Sequence, residues 1–255
     1  MRVLQVVSVL AAQLLLASCG SSNSKPDPST GLSGNWQITL QGGATSRSQA
    51  GFVLQAGKAL TGEFLLTGDC AGVGSVQGEM NGTSVSLTVN QPAQTVGLSG
   101  SVSSDDSSIA GNYSILSSGC GASETGTWTA ARIQPLSGSF AGSFISNFSG
   151  MAPFNFSGTL MQGTNVGSTH ADISGSMTST DAVCFSDAMI SGVISGTSVV
   201  LNFSSSEGSA FGQFTGTASA DAKTVTGTYD FFNAQTPIPG CPAGDAGSAT
   251  LTVQP

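Results

Sequence analysis

One short pattern recurs along the chain: an apolar residue, a polar one, glycine, another polar one, and a second apolar residue. It appears at Leu60-Thr61-Gly62-Glu63-Phe64, Val76-Gln77-Gly78-Glu79-Met80, Leu98-Ser99-Gly100-Ser101-Val102 and Ile109-Ala110-Gly111-Asn112-Tyr113. Later it returns around Gly175, Gly192, Gly216 and Gly227. A spacing of two is the period of a strand, so each glycine shares a face with its apolar neighbours while the other face is Ser, Thr, Asn, Gln or Glu. Glycine inside a strand costs stability and marks a bend or a close approach. One inward glycine in strand after strand is what a tightly coiled sheet needs to curl around a small core. The runs predict about eight short strands before residue 135, centred near Trp36, Phe52, Gly62, Gly78, Leu87, Gly100, Gly111 and Trp128. Gly57-Lys58, Asn81-Gly82 and Asp105-Asp106 read as tight hairpin turns between them. No stretch after the N-terminal segment has a helical period. The expected class is all-β: an up-and-down barrel, with a two-sheet sandwich as the alternative.

The pattern is written twice. Leu32-Ser33-Gly34-Asn35-Trp36 matches Leu136-Ser137-Gly138-Ser139-Phe140, and Asn81–Leu87 matches Ser195–Leu201. Gly100–Asp105 matches Gly216–Asp221, and Ile109–Tyr113 matches Val225–Tyr229. Ordered blocks at nearly constant shift predict two homologous antiparallel meander units, 31–135 and 136–255. Cysteines obey the same repeat. Cys70 and Cys184 each stand eight residues before equivalent glycines, and Gly119-Cys120 aligns with Gly240-Cys241. Of the three possible pairings, Cys70–Cys120 with Cys184–Cys241 is the one that respects the repeat, giving each unit one disulfide. In the chain-entropy estimate a loop of about 50 residues closed in this way stabilises by roughly 4 kcal/mol. Metal binding would call for paired CxxC ligands, which are lacking. In a meander, alternate connections fall at the same end, so both cysteine loops of a unit are expected at one mouth.

The first residues are of another kind. Arg2 is followed by the almost wholly apolar Val3–Leu16, interrupted by Gln5, Ser8 and Gln13. Fourteen residues fall short of the roughly 20 needed to span a bilayer. Leu16-Ala17-Ser18-Cys19 follows, and it resembles the lipobox of bacterial lipoproteins, in which signal peptidase II cuts before a diacylated cysteine. The resemblance implies a signal peptide over 1–18, lipidation of Cys19 and a membrane attached through that lipid. Residues 19–30 then serve as the lipidated end of a flexible tether, Gly20 to Thr30 having no hydrophobic periodicity. Gly20 stands where the family's inner-membrane retention signal has Asp, which implies the outer membrane. Beyond residue 18 the chain has five Lys and Arg against 14 acids, a net −9, so charge does not draw it to anionic headgroups.

Composition narrows the function by exclusion. Only 8% of residues are charged while 35 are glycine, and the net charge of −8 makes nucleic acid a poor partner. A content of 39% hydrophobic residues is too apolar for intrinsic disorder. Gly72–Gly78 resembles a phosphate loop, but its last gap is one residue too long and no helix follows. The one histidine, His170, alternates with the inward Ile173 and is expected on a solvent-facing strand position. Asp105-Asp106 and Asp221 read as turn formers, without the dense oxygen ligands of a calcium site. No catalytic constellation, metal or cofactor is expected, and an envelope hydrolase would need distant acids to meet in a cleft.

Gly34-Asn35-Trp36 on the first strand and Leu60–Phe64 on the third resemble the meander barrels of lipocalins and avidins. That resemblance implies an eight-stranded barrel and assigns no ligand residue, since the biotin contacts of avidins find no counterparts. Eleven of the 13 Phe lie in the second unit, and both Trp lie in the first. A bland reading is two cores packed with different aromatics. A sharper one is a pocket in the second unit lined by Phe140, Phe144, Phe156 and Phe214 for a small apolar ligand. Taken together, the sequence predicts a non-enzymatic structural or interaction module of the cell envelope meeting an envelope protein, with a lipocalin-like carrier as the alternative.

Overall fold

The structure is a computed structural model; it describes residues 31–255 apart from 43–46, 68–69, 117–122, 149, 151, 165–167, 182–185, 206–209 and 234–243. Among the described residues every regular element is a strand. The first eight are β1 (Gly34–Gln41), β2 (Arg47–Ala56), β3 (Ala59–Leu66), β4 (Gly72–Asn81), β5 (Ser84–Asn90), β6 (Thr95–Val102), β7 (Ser108–Leu116) and β8 (Glu124–Ile133). The second eight are β9 (Gly138–Ser146), β10 (Phe154–Gln162), β11 (Ala171–Thr178), β12 (Asp187–Ser195), β13 (Ser198–Ser205), β14 (Ala210–Ala218), β15 (Thr224–Asn233) and β16 (Gly244–Gln254). Each set is an antiparallel meander whose last strand pairs with its first, so both units are closed barrels rather than sandwiches. Closure runs from Asn35↔Ile133 to Gln41↔Thr127 in the first and from Gly247↔Ser146 to Gln254↔Ser139 in the second.

Closing a sheet of eight strands leaves an interior only wide enough for side chains, and the alternation fills it. In β5, Val85, Leu87 and Val89 are buried while Ser84, Ser86 and Asn90 are exposed. An apolar interior and a hydroxyl-rich outer face are the opposite sense to a lipid-facing barrel. The glycines act by close approach. Gly100 faces Gly111 across β6–β7, and Gly216 faces Gly227 across β14–β15. A Cβ on Gly111 would stand 2.5 Å from the Cα of Gly100, and one on Gly227 would stand 2.5 Å from the Cα of Gly216. At these crossings the strands approach too closely for any side chain, which allows the tight coil.

The repeat extends to single hydrogen bonds. Gln55 Oε1 accepts from Leu32 N (2.7 Å) and Gln162 Oε1 from Leu136 N (2.8 Å). Ser33 Oγ accepts from Gln55 N and Ser137 Oγ from Gln162 N, both at 2.9 Å. In the β6–β7 turn Asp105 Oδ1 accepts from Ser103 Oγ (2.6 Å) and Ser107 N (3.2 Å); in the β14–β15 turn Asp221 Oδ1 accepts from Ser219 Oγ (2.6 Å) and Lys223 N (3.1 Å). The residue after each, Asp106 and Ala222, takes a left-handed φ of 54° and 53°.

The two barrels share a seam. The carboxamide of Asn35, 2% exposed, donates to Gly196 O and accepts from Gly196 N, both at 2.8 Å. One side chain thereby imitates a strand edge against the β12–β13 turn. Gln37 Oε1 accepts from Thr197 N (3.2 Å), and Gln134 N donates to Ala220 O (2.9 Å). Phe52 and Ile133, from outward positions of barrel 1, pack into the hydrophobic cluster of barrel 2 together with Leu136 of the link.

Two sequence expectations shift in detail. Strands run 7 to 11 residues, longer than the apolar alternation alone suggested, because pairing continues into the barrel rims. His170 lies half-buried in the bend before β11 rather than on a strand, since the pairing of β11 with β12 begins at Ala171↔Ile194.

Candidate functional site

The meander sends the connections β1–β2, β3–β4, β5–β6 and β7–β8 to one end of barrel 1, and the corresponding four connections to one end of barrel 2. These loop-bearing mouths collect the inward polar side chains. In barrel 1 the first inward position of β2 is Arg47 and the first of β8 is Glu124. Arg47 Nη2 lies 3.3 Å from Glu124 Oε2, with both side chains about four-fifths buried (19% and 18% exposed). Tyr113 Oη donates to Glu124 Oε1. Burial, seconded by the hydrogen bond to Glu124, pushes the Tyr113 hydroxyl up to about 12. One inward position along β2, Gln49 is 1% exposed, and neither its Nε2 nor its Oε1 has a hydrogen-bond partner among the described protein groups.

Barrel 2 repeats the tyrosine–carboxylate pair. Tyr229 Oη donates to Asp245 Oδ2 (2.8 Å), and Ser146 Oγ donates to Asp245 Oδ1 (2.5 Å). Burial again raises the phenol, with the Asp245 hydrogen bond second. Around this pair the filling is aromatic. Phe144 meets Phe156 edge-on at 5.0 Å, Tyr229 at 5.1 Å and Phe154 stacked at 5.6 Å, while Phe231 lies 4.8 Å from Tyr229. Such pairs add about 0.5–1.5 kcal/mol beyond their area.

The four Phe proposed as a ligand lining all point into barrel 2 and are 0–4% exposed: Phe140 4%, Phe144 0%, Phe156 1% and Phe214 0%. Phe144 and Phe156 are brought together at the mouth, and the rings touch one another. An occupant there must displace rings. In barrel 1 the space among Trp36, Leu60, Phe64 and Trp128 is about 10 Å³, room for a single water at most. The Tyr113–Glu124 and Tyr229–Asp245 pairs escaped sequence reasoning. Their signal was present, since the tyrosines occupy matched positions in the repeat, but their acids lie beyond the matched blocks.

Cys70 is half-buried on the β3–β4 connection. Its expected partner Cys120, the pair Cys184 and Cys241, and Cys19 with the whole tether fall outside the described residues. The connections that carry Cys70 and Cys120 do leave barrel 1 at the same end, as do those of Cys184 and Cys241 in barrel 2. Among the described residues no three His, Cys, Asp or Glu gather to hold a metal ion, and no helix is long and apolar enough to cross a membrane.

No family model matches the chain, and no curated protein matches it. Among solved structures it is similar to kievitone hydratase from Nectria haematococca, at 8% identity over 87% of this chain and 89% of that one, with a TM-score of 0.24. A likeness of that degree carries no argument about activity.

Proposed function

We propose that the chain is a lipid-anchored, non-enzymatic module of the bacterial cell envelope that acts through its surface on an envelope partner. The observation that carries the reading is the filling of the barrels. Barrel 1 is closed on Trp36, Phe64 and Trp128, and barrel 2 on Phe144, Phe156 and Phe214, all fully buried. A meander barrel of the lipocalin or avidin kind serves as a container when its interior is empty; a filled one offers its outer face and rims. Among the described residues each mouth brings one carboxylate to its tyrosine, and an acid–base pair of carboxylates needs two. Attachment to the outer membrane through Cys19 rests on Leu16-Ala17-Ser18-Cys19 and Gly20. Disulfides Cys70–Cys120 and Cys184–Cys241 would pin the loops of each mouth.

A carrier function remains the second reading, favoured by the aromatic cluster at the mouth of barrel 2. It requires those rings to part. Native mass spectrometry of the protein taken from its own envelope tests both readings. A lipidated Cys19 with a co-isolated protein is the expected result. A retained small molecule without a protein partner would move the assignment to the carrier, and membrane attachment unchanged by Cys19→Ser would remove the anchor.

A further inference from the structure

On the outer wall of barrel 2, three exposed apolar side chains form one row next to the mouth. Met189 pairs across to Ser204, Ser204 to Phe211 and Phe211 to Phe232. Met189, Phe211 and Phe232 are 64%, 38% and 49% exposed, and the two rings stack with their centroids 6.4 Å apart. Farther from the mouth β14 and β15 turn to hydroxyls, with Thr215 opposite Thr228 and Thr217 opposite Thr226. Barrel closure does not call for the row. At the corresponding positions barrel 1 has Ser75, Thr95 and Leu116, with Thr95 paired to Leu116. An apolar patch framed by polar groups, present in one copy of a repeat alone, has the character of a contact surface and not of the shared frame.

The row borders a groove of about 350 Å³ lined by Phe211, Phe232, Asn202, Gln213 and Asp230. Asn202, Gln213 and Asp230 stand opposite one another in turn across β13–β15, and Gln213 Nε2 donates to Asn202 Oδ1 (3.0 Å). The charge around the groove has one sign. Asp230 precedes Phe232 by two positions and Asp187 precedes Met189 by two, each on the same outer face as the residue it flanks. From residue 136 to the end the chain has seven acids and a single Lys or Arg, Lys223. That lysine stands in the β14–β15 turn, at the opposite end of the barrel from the mouth. A field of this kind repels a second copy of the same face and an anionic lipid surface, and it attracts a cation. Half-exposed phenyl faces attract a cation as well, at short range, through their quadrupoles. An apolar anchor flanked by Lys or Arg would therefore meet complementary chemistry along both the row and the groove.

We infer that this wall of barrel 2 is the docking face for a cationic amphipathic segment of a partner protein, with apolar side chains against Met189, Phe211 and Phe232 and Lys or Arg at Asp230. The inference rests on the reading of the chain as an interaction module and gives that module its face. Fluorescence anisotropy of a short labelled Leu/Lys peptide with helical spacing tests it, titrated with the chain from residue 19 on carrying Cys19→Ser. Saturable binding that weakens with salt is expected, about tenfold or more tighter than for the same peptide with Glu in place of Lys or Ser in place of Leu. Phe211→Ser combined with Phe232→Ser is expected to weaken binding about tenfold or more, the scale of lost aromatic anchors, at an unchanged melting temperature. Asp230→Asn should weaken it about threefold and flatten its salt dependence, and Leu116→Ser, at the matched site of barrel 1, should leave it unchanged. Should the double variant fail to fold, Phe232→Ser alone and Asp230→Asn still decide. No saturable binding, equal affinity for the Glu peptide, or binding unmoved by the Phe and Asp230 variants would each overturn the inference. A dimer in sedimentation that Phe232→Ser abolishes would overturn it in favour of a second copy, and Phe232-dependent binding to phosphatidylcholine vesicles in favour of a lipid surface. None of these measurements involves the lipid on Cys19, so failure of the anchor and failure of the face are told apart.

Discussion

The two mouths differ at corresponding positions. Arg47 pairs across to Leu40 where Phe154 pairs to Phe144, and two residues on, Gln49 corresponds to Phe156. On β5 and β7, Val89 and Ile115 stand where barrel 2 has Phe203 and Phe231, while Tyr113 with Glu124 and Tyr229 with Asp245 are shared. Toward the opposite end the bulk reverses, with Trp36 and Trp128 in barrel 1 against Phe140 and Ala249 in barrel 2. What is common includes the contacts that set the backbone: the Gly–Gly crossings, the Ser–Gln brace, the Asp turn. What differs is the bulk of the filling, with the Trp36 and Trp128 indoles of barrel 1 also donating to the carbonyls of Leu32 and Ser99. A barrel of fixed circumference thus tolerates polar or aromatic filling, provided that the residues that set strand spacing stay in place.

The hardest way to break this equivalence is through the crossings. Gly111→Val and Gly227→Val should each cost about 3 kcal/mol or more, because the added side chain meets the backbone of the facing strand. Both Trp residues lie in barrel 1, so tryptophan emission during denaturation should shift far more for Gly111→Val than for Gly227→Val, while circular dichroism loses stability in both. A cost under about 1 kcal/mol at either site would show that the frame is not shared.

The filling can be tested by exchange. Phe156→Gln removes ring contacts with Phe144 and buries an amide, at an expected cost of about 3 kcal/mol. Gln49→Met is expected to run the other way, stabilising barrel 1 by about 1 kcal/mol because an amide with no partner among the described residues leaves the core. Chemical denaturation reads both; a Gln49→Met that destabilises would mean that the amide is held by something other than the described residues.

Smaller effects separate the tyrosines. Tyr229→Phe should cost about 2 kcal/mol and Tyr113→Phe about 1, since among the described residues Glu124 keeps the Arg47 cation whereas Asp245 keeps the Ser146 hydroxyl. These two are the chain's whole complement of tyrosine, so ultraviolet titration reports them directly. Both folded values lie above the ordinary phenol, Tyr113 near about 12. Their contribution is therefore complete below about pH 10 and falls away as pH rises through the folded values. Ionisation of either near pH 10 in the native protein would contradict the buried geometry.

The smallest effect is at the turns. Hydrogen bonds, first from Ser103 and then from Ser107, hold Asp105 down to about 2, and Ser219 followed by Lys223 N lowers Asp221. A depressed carboxyl contributes above its unfolded value, near about 4, and loses that contribution as pH falls toward 2. Asp105→Asn should flatten this acid limb more than Asp221→Asn, because Asp105 also accepts from Ser107 Oγ (2.8 Å). Equal acid limbs in the two variants would place the turns on a par.

Much of the fold was legible because its signal is local and periodic. Gly62, Gly78, Gly100 and Gly111 announced inward strand positions, and the matched blocks from Leu32 to Tyr229 announced two units. Asp105-Asp106 and Asp221 were read as turns, and they are. Less of the site could be read. Arg47 and Glu124 are distant in sequence and meet only because β8 closes against β1, and no feature of Asn35 or Gly196 tells that they bond across the seam. Phe140, Phe144, Phe156 and Phe214 were recognised as inward, but whether inward rings line a space or fill it depends on how they pack.

By itself, then, the sequence determined the class, the duplication, the strand periods and the turns, because these depend on residues a few positions apart and on backbone preferences that glycine, aspartate and alternation express locally. Barrel closure rather than a sandwich, the tyrosine–carboxylate mouths, the filled interiors and the apolar row beside Asp230 were decided only in the tertiary structure. Each depends on groups from strands far apart in the chain, and their meeting is set by register and volume, quantities that no short stretch of residues carries.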